Sequence, residues 1–233
     1  MRNRNSQVPE RPSQHRSAWL FAPLVVFLIA LSGPASAADS RANPGVQAGE
    51  AAWTLCRSSA RAAERGHNLP PLLLTAIAQT ESGRWHAERR ERLAWPWTVM
   101  AEGRGQFLPS KQAAIETVRA LRARGVRNID VGCMQINLYH HPEAFDDLEQ
   151  AFDPARNAGY AAAFLAELRR EARSWTRAVG HYHSRSHLRA NSYRVKVFRA
   201  WRAERHRANR ERRAMLKAQR DAEKTARLRE TNG

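Results

Sequence analysis

A single carboxylate, Glu81, closes the apolar run Leu72, Leu73, Leu74, Ala76, Ile77, Ala78 in the stretch TAIAQTESG. Leu73, Ile77 and Glu81 recur every fourth residue, so a helix would carry them on one face, of the kind that packs into a core. Burial raises a carboxyl pKa because the charged form loses its water. Pro70 and Pro71 suit a first helical turn and Gly83 the position after the last, which puts Glu81 at the negative end of the helix dipole. Both effects favour the protonated acid. A carboxyl group kept neutral near pH 7 can donate to a departing oxygen, the step that breaking a glycosidic bond requires. The plain alternative is a glutamate that ends a helix and points into water, as most do.

Three further segments decide between these readings: DVGCMQIN at 130–137, FDPARN at 152–157 and AVGHYHS at 178–184. With Glu81-Ser82 they resemble, in order and spacing, the SLT-type lytic transglycosylases of bacterial cell walls. The goose-lysozyme-like domain of that family carries Glu-Ser, then Gly-Leu-Met-Gln-Ile, an Asp-Pro-x-x-Asn helix start and a later Ala-Tyr-Asn-Ala-Gly. Each string is short, but an ordered set of four is specific. It spans roughly residues 50–190. Cys133 stands where the family has Leu, Ala158 where it has Ile, and His183-Ser184 where it has Asn-Ala.

The resemblance implies a mainly α, α+β lysozyme-like fold and a peptidoglycan lytic transglycosylase with Glu81 as its one catalytic acid and base. Such an enzyme cuts the β-1,4 bond from N-acetylmuramic acid to N-acetylglucosamine without water and leaves 1,6-anhydro ends. It implies that the Tyr182 hydroxyl holds Glu81; Ser82 and His183 are counted with the substrate-binding set, and Ser82 could equally support the acid or cap the helix end. Gln135 and Asn137 offer amide groups to sugar hydroxyls and acetamido groups, and Met134 a flexible apolar wall. Glycosidases that hydrolyse their substrate use two carboxylates. Glu102 and Asp130 are the available second ones, each with an ordinary explanation in a turn or as a loop cap. Trp85, Trp95 and Trp97 are candidate stacking platforms, although tryptophans more often pack. His140, His141, His181, His183 and His187 lack the acidic or cysteine company of a zinc site, so no metal and no cofactor is expected.

Residues 1–17 are polar and basic, 18–31 are apolar, and Ala35-Ser36-Ala37 has the spacing of a signal-peptidase site. A cleaved signal peptide at 1–37 and a periplasmic address are therefore expected; the apolar run is shorter than the ~20 residues of a membrane span. The chain of 233 residues carries a formal charge of +17, and +14 without residues 1–37. Such a charge draws in polyanions generally, but export disfavours nucleic acid and leaves the wall, its peptide carboxylates, and a secretion or cell-envelope machine as partners. Cys56 and Cys133, the only cysteines, permit one disulfide in an exported chain or two buried thiols.

The elements that would position the site follow from local signals. Residues 38–49 read as a linker, and the domain is expected at 50–192. A first helix, with Trp53, Cys56, Ala60 and Ala63 as its stripe, ends at Gly66, and the acid-bearing helix runs from Pro70 to Ser82. AEGRG at 101–105 is the turn of a small hairpin. Ser110, Asp153-Pro154 and Ser174 each start a helix. From Tyr193 the chain turns highly charged, with twelve Lys or Arg against five acids between Arg199 and Glu230. It reads as a solvated basic helix or disordered tail at 193–233 that could touch an anionic wall or membrane surface. Two alternatives stay open: a hydrolytic muramidase on the same scaffold, and a non-catalytic wall-binding or secretion-scaffold protein.

Overall fold

The structure, a computed structural model, describes residues 44–231; the expected signal segment and the first part of the expected linker lie outside them. Helix α1 spans Pro44–Gly66, so residues assigned to the linker are already helical. It buries Ala52, Cys56 and Ala60, and one turn further Glu64. A tight turn through Pro70 and Pro71 then leads into α2 (Leu73–Ser82), which starts later than expected. Leu72 precedes it in the left-handed region, φ 68°, and no side chain of its own first turn caps it. The cap comes from α1. Glu64 accepts from the Leu72 amide at 2.8 Å, the Thr75 amide at 2.9 Å and the Thr75 hydroxyl at 3.2 Å. A carboxylate at this end of a helix meets unpaired N–H groups and the positive end of the dipole.

Helix α2 lies in the larger core: Leu73, Leu74, Ala76, Ile77 and Ala78 are buried, with α1, α7 and β2 packed on the helix and α5 and α6 contributing to the same core. Gly83 ends the helix differently from the left-handed cap expected of it. Its φ is −64°, and the chain leaves directly into a strand. Glycine is required there by proximity, since a Cβ would lie 2.3 Å from the Gln79 carbonyl oxygen.

Two small antiparallel sheets follow. The first, β1 (Gly83–His86) with β2 (Glu91–Ala94), had no signal in the sequence reading. The second has the order β4-β3-β5-β6. Strands β3 (Thr98–Ala101) and β4 (Arg104–Phe107) form the expected hairpin, and Glu102 and Gly103, with φ 51° and 74°, supply the two left-handed residues of its tight turn. Strand β5 (Ile129–Val131) pairs with the other edge of β3, and β6 (Ile136–Asn137) folds back on β5. This sheet and helix α3 (Lys111–Ala123) enclose a second core containing Val99, Ile115, Val118, Val131 and Phe152.

The remaining helices begin where their caps foretold. Ser110 accepts from the Ala113 amide at α3, and Asp153 from the Ala155 and Arg156 amides at α5 (Pro154–Ala172), after the short α4 (Leu148–Ala151). Ser174 caps α6 (Trp175–His183). Helix α7 then runs unbroken from His187 to Thr231. The boundary expected at 192/193 therefore falls inside a helix. Tyr193 and Val197 are buried, and Phe198 and Trp201 pack on the same core. Glu204, 2% exposed, takes Arg57 at 2.5 Å and Arg207 at 3.3 Å, and Arg207 also reaches Glu91 at 2.5 Å. Residues 193, 197, 201 and 204 form a short stripe that the surrounding arginines had masked. From Asn209 to Glu230 every residue is exposed, as expected of the tail.

Cys56 and Cys133 form a disulfide, with Cα atoms 5.5 Å apart and a sequence separation of 77. Closing a loop of that length stabilises the fold by about 4.5 kcal/mol on a chain-entropy basis. The bond also fastens α1 to the segment between β5 and β6.

Candidate active site

The β5–β6 connection, Gly132 to Gln135, is held from every side. Gly132 (φ 80°) lies against Asn157, whose amide would be 2.5 Å from a Cβ at that position. Asn157, fully buried on α5, accepts from the Met134 amide at 2.8 Å and donates to the carbonyls of Val131 at 3.1 Å and Ala151 at 3.0 Å. The Ser82 hydroxyl donates to the Cys133 carbonyl at 2.7 Å, and the Tyr182 hydroxyl to the Met134 carbonyl at 3.0 Å. These partners and the disulfide let a turn with few bonds of its own be buried without orphaned polar groups. Gln135 completes the turn with φ 49°, an uncommon conformation for its type, and donates to Gly132 at 3.0 Å and Thr98 at 3.2 Å.

This rigid turn forms one wall of a cleft of about 390 Å³. Glu81 is reached from it at the end of α2; Asp130, Gln135 and Asn137 come from the sheet, Phe164 from α5, and Tyr182 and His183 from α6. Glu81 is half-buried, and its Oε1 accepts a 2.5 Å hydrogen bond from the Tyr193 hydroxyl of α7. Burial raises its pKa to about 7; the Tyr193 bond opposes the rise, the nearby Asp130 adds to it and Lys196 offsets part. Across the cleft, burial also raises Asp130, against the pull of Asn137, which donates to its Oδ1 at 2.7 Å. His183 is lowered by burial and then by Lys196, and its ring stacks on Tyr193 at 4.6 Å.

Of the residues expected at the site, Glu81, Gln135, Asn137, Tyr182 and His183 line the cleft. Three expectations need correction. Ser82 is fully buried and spends its hydroxyl on Cys133 and Ala78, so it shapes the wall and cannot touch a glycan. Met134 points into the core, because the turn directs its neighbour Gln135 outward instead. Tyr182 does not bond the acid. Its hydroxyl is committed to Met134, and the tyrosine on Glu81 is Tyr193, which the sequence reading had set at the start of a tail. The spacing of Tyr193 to Val197 and Trp201 was the available signal.

Asp130, a candidate second carboxylate or a loop cap by sequence, lies in the cleft, as do Asn128, His140 and His141. Glu102 is an exposed partner of Arg124 at 2.9 Å. Trp95 is buried beside Trp53 and Trp97, Trp85 is exposed on β1, and none of the three tryptophans considered for stacking borders the cleft. Among the described residues no group of three or more His, Cys, Asp or Glu converges as a metal site.

A cleft between a helical core and a small sheet, lined by a carboxyl group whose pKa is raised to about 7 and by a second one, Asp130, suits an enzyme that cleaves glycans. The Transglycosylase SLT domain matches residues 58–194, more than half of the chain, and the chain belongs to this family of lytic transglycosylases acting on peptidoglycan. No curated protein and no solved structure gives a significant match.

Proposed function

We propose that the protein cleaves the β-1,4 bond between N-acetylmuramic acid and N-acetylglucosamine non-hydrolytically, with Glu81 as sole acid and base. The observation that carries this reading is the Glu81 carboxyl, facing a sugar-sized cleft with a pKa of about 7. A group with that pKa exists in both protonation states near neutrality, which suits a residue that must first give and then take a proton. Glu81 protonates the glycosidic oxygen as the C1–O bond breaks and its electron pair leaves with the departing sugar. The muramoyl 6-hydroxyl then attacks C1 and returns its proton to the Glu81 carboxylate, closing the 1,6-anhydro ring. The substrate's acetamido oxygen stabilises the cationic centre meanwhile. Tyr193 orients the carboxyl, and Gln135 and Asn137 face the sugars. No cofactor is required. Export by a signal peptide at 1–37 to the periplasm agrees with the disulfide, which an oxidising compartment maintains.

Asp130 supports a second reading, hydrolysis, because it gives the same cleft the second carboxylate that hydrolases use. Digestion of purified sacculi followed by mass spectrometry separates the two. Anhydro muropeptides, one water lighter than hydrolysis products, should appear with the wild type and vanish with Glu81→Gln. Only reducing ends would sink the transglycosylase reading, and activity surviving in Glu81→Gln would sink the assignment of the acid.

A further inference from the structure

On the side of α6 away from the cleft, where α6 meets the start of α7, lies a second cavity of about 270 Å³. Arg177, Arg185 and Arg194 surround it with His181 and His187, and no carboxylate lines it. The helices approach closely here: a Cβ on Gly180 would lie 3.2 Å from the Ala190 Cβ. Three guanidinium groups border one hollow; Arg177 and Arg185 are exposed and Arg194 is partly buried, so water screens part of their mutual repulsion. Arg185 is paired with Glu171 at 2.7 Å and lies 3.3 Å from His181 Nδ1, and among the described residues Arg194 donates to the neutral Asn191 at 2.5 Å. The Arg177 guanidinium has no hydrogen-bond or ionic partner among the described residues. The first turn of α7 borders the same hollow, so unpaired N–H groups and the positive end of a 45-residue helix add to the field. Arginine suits oxyanions by geometry and charge, and Arg177 and Arg194 stand beside a helix start with no carboxylate paired to either among the described residues.

We propose that this elbow is an oxyanion-binding site, taking a carboxylate or phosphate group. It is separate from the cleft but shares its supports, since α6 carries Tyr182 and His183 and α7 carries Tyr193. An anion clamped between Arg177 on α6 and Arg194 on α7 fastens those two helices at their junction, and so fastens the tyrosine that holds Glu81. Two sources carry this chemistry: the free carboxylates of peptidoglycan stem peptides, an assignment that rests on the proposed function, and free phosphate, which does not.

The test starts with inorganic phosphate titrated into the full chain while the backbone amide signals of residues 187–190 are followed by NMR. Saturable shifts are expected in the wild type, with at least tenfold weaker binding in Arg177→Gln and in the independent variant Arg194→Gln. Shifts that do not saturate, or that are the same in both variants, overturn the proposal. Turnover is not involved, so Glu81→Gln should bind phosphate normally even if the catalytic reading fails. Digestion of peptide-bearing glycan and of glycan stripped by an amidase then assigns the source. A several-fold rise in KM for Arg177→Gln confined to peptide-bearing strands supports the stem carboxylate. An equal KM on both, with phosphate binding retained in the wild type, supports phosphate.

Discussion

Helix α2 has a glutamate at each end, Glu64 from α1 and its own Glu81, and they are treated in opposite ways. At its N-terminus Glu64, reaching over from α1, is 4% exposed and receives three hydrogen bonds at the favourable end of the dipole. At its C-terminus Glu81 receives one, from Tyr193, with the dipole against it and Asp130 nearby. The first arrangement holds a charge in place and completes a helix that has no cap of its own. The second leaves a charge poorly supported, and a carboxyl group so placed gives and accepts protons readily. The same residue type, set at the two ends of one helix but carried by α1 at the first and α2 at the second, is thus a fastening in one place and a reagent in the other, according to how many donors meet it.

Exchanging each acid for its amide tests that contrast, and the largest effect is expected on turnover. Glu81→Gln should lower anhydro-muropeptide release by roughly 10²–10⁴-fold while the circular dichroism spectrum is unchanged. Glu64→Gln should do the reverse, destabilising the protein by about 3 kcal/mol in urea unfolding while leaving kcat, measured well below the midpoint, within a few-fold. Equal losses of activity in the two variants would remove the distinction.

A stability effect of similar size but opposite sign is expected at Glu81 itself. Its folded pKa of about 7 lies above the ordinary value of 4.5, so ionisation opposes folding. The wild type should lose stability as pH rises from about 4.5 through 7, by up to about 3 kcal/mol, and Glu81→Gln should not. The variant is therefore the more stable protein at pH 8 and the two converge at pH 4; parallel melting curves across that range would contradict the buried acid. The smallest effect belongs to Tyr193→Phe. Removing a donor that favours the carboxylate raises the Glu81 pKa further, so the alkaline fall of kcat/KM should move up by about one pH unit with the stacked ring preserved. A profile that stays put would mean that the hydroxyl has no part in setting the acid.

What the sequence made legible was local. Glu81 at an apolar helix end, Ser110, Asp153-Pro154 and Ser174 as helix starts, and the hairpin at Glu102-Gly103 all depend on residues within one turn of each other. What stayed hidden depends on contacts across the chain. Glu64 looks like any helical glutamate until the amides of Leu72 and Thr75 are set against it. Tyr193 was lost among arginines, although its spacing to Val197 and Trp201 is that of a buried face. Met134 was misplaced because the left-handed φ of Gly132 and Gln135 sends Gln135 to the cleft and Met134 inward, and Ser82 because its hydroxyl is taken by the Cys133 carbonyl, distant in the chain.

Helix α7 is one continuous rod, with Tyr193 near its root and about 34 Å of it, at 1.5 Å per residue, standing in water beyond Asn209. Anything bound at its tip would lie at a standoff from the cleft set by the length of the helix. A proline placed midway along the exposed stretch would hinge the rod and leave the catalytic end intact.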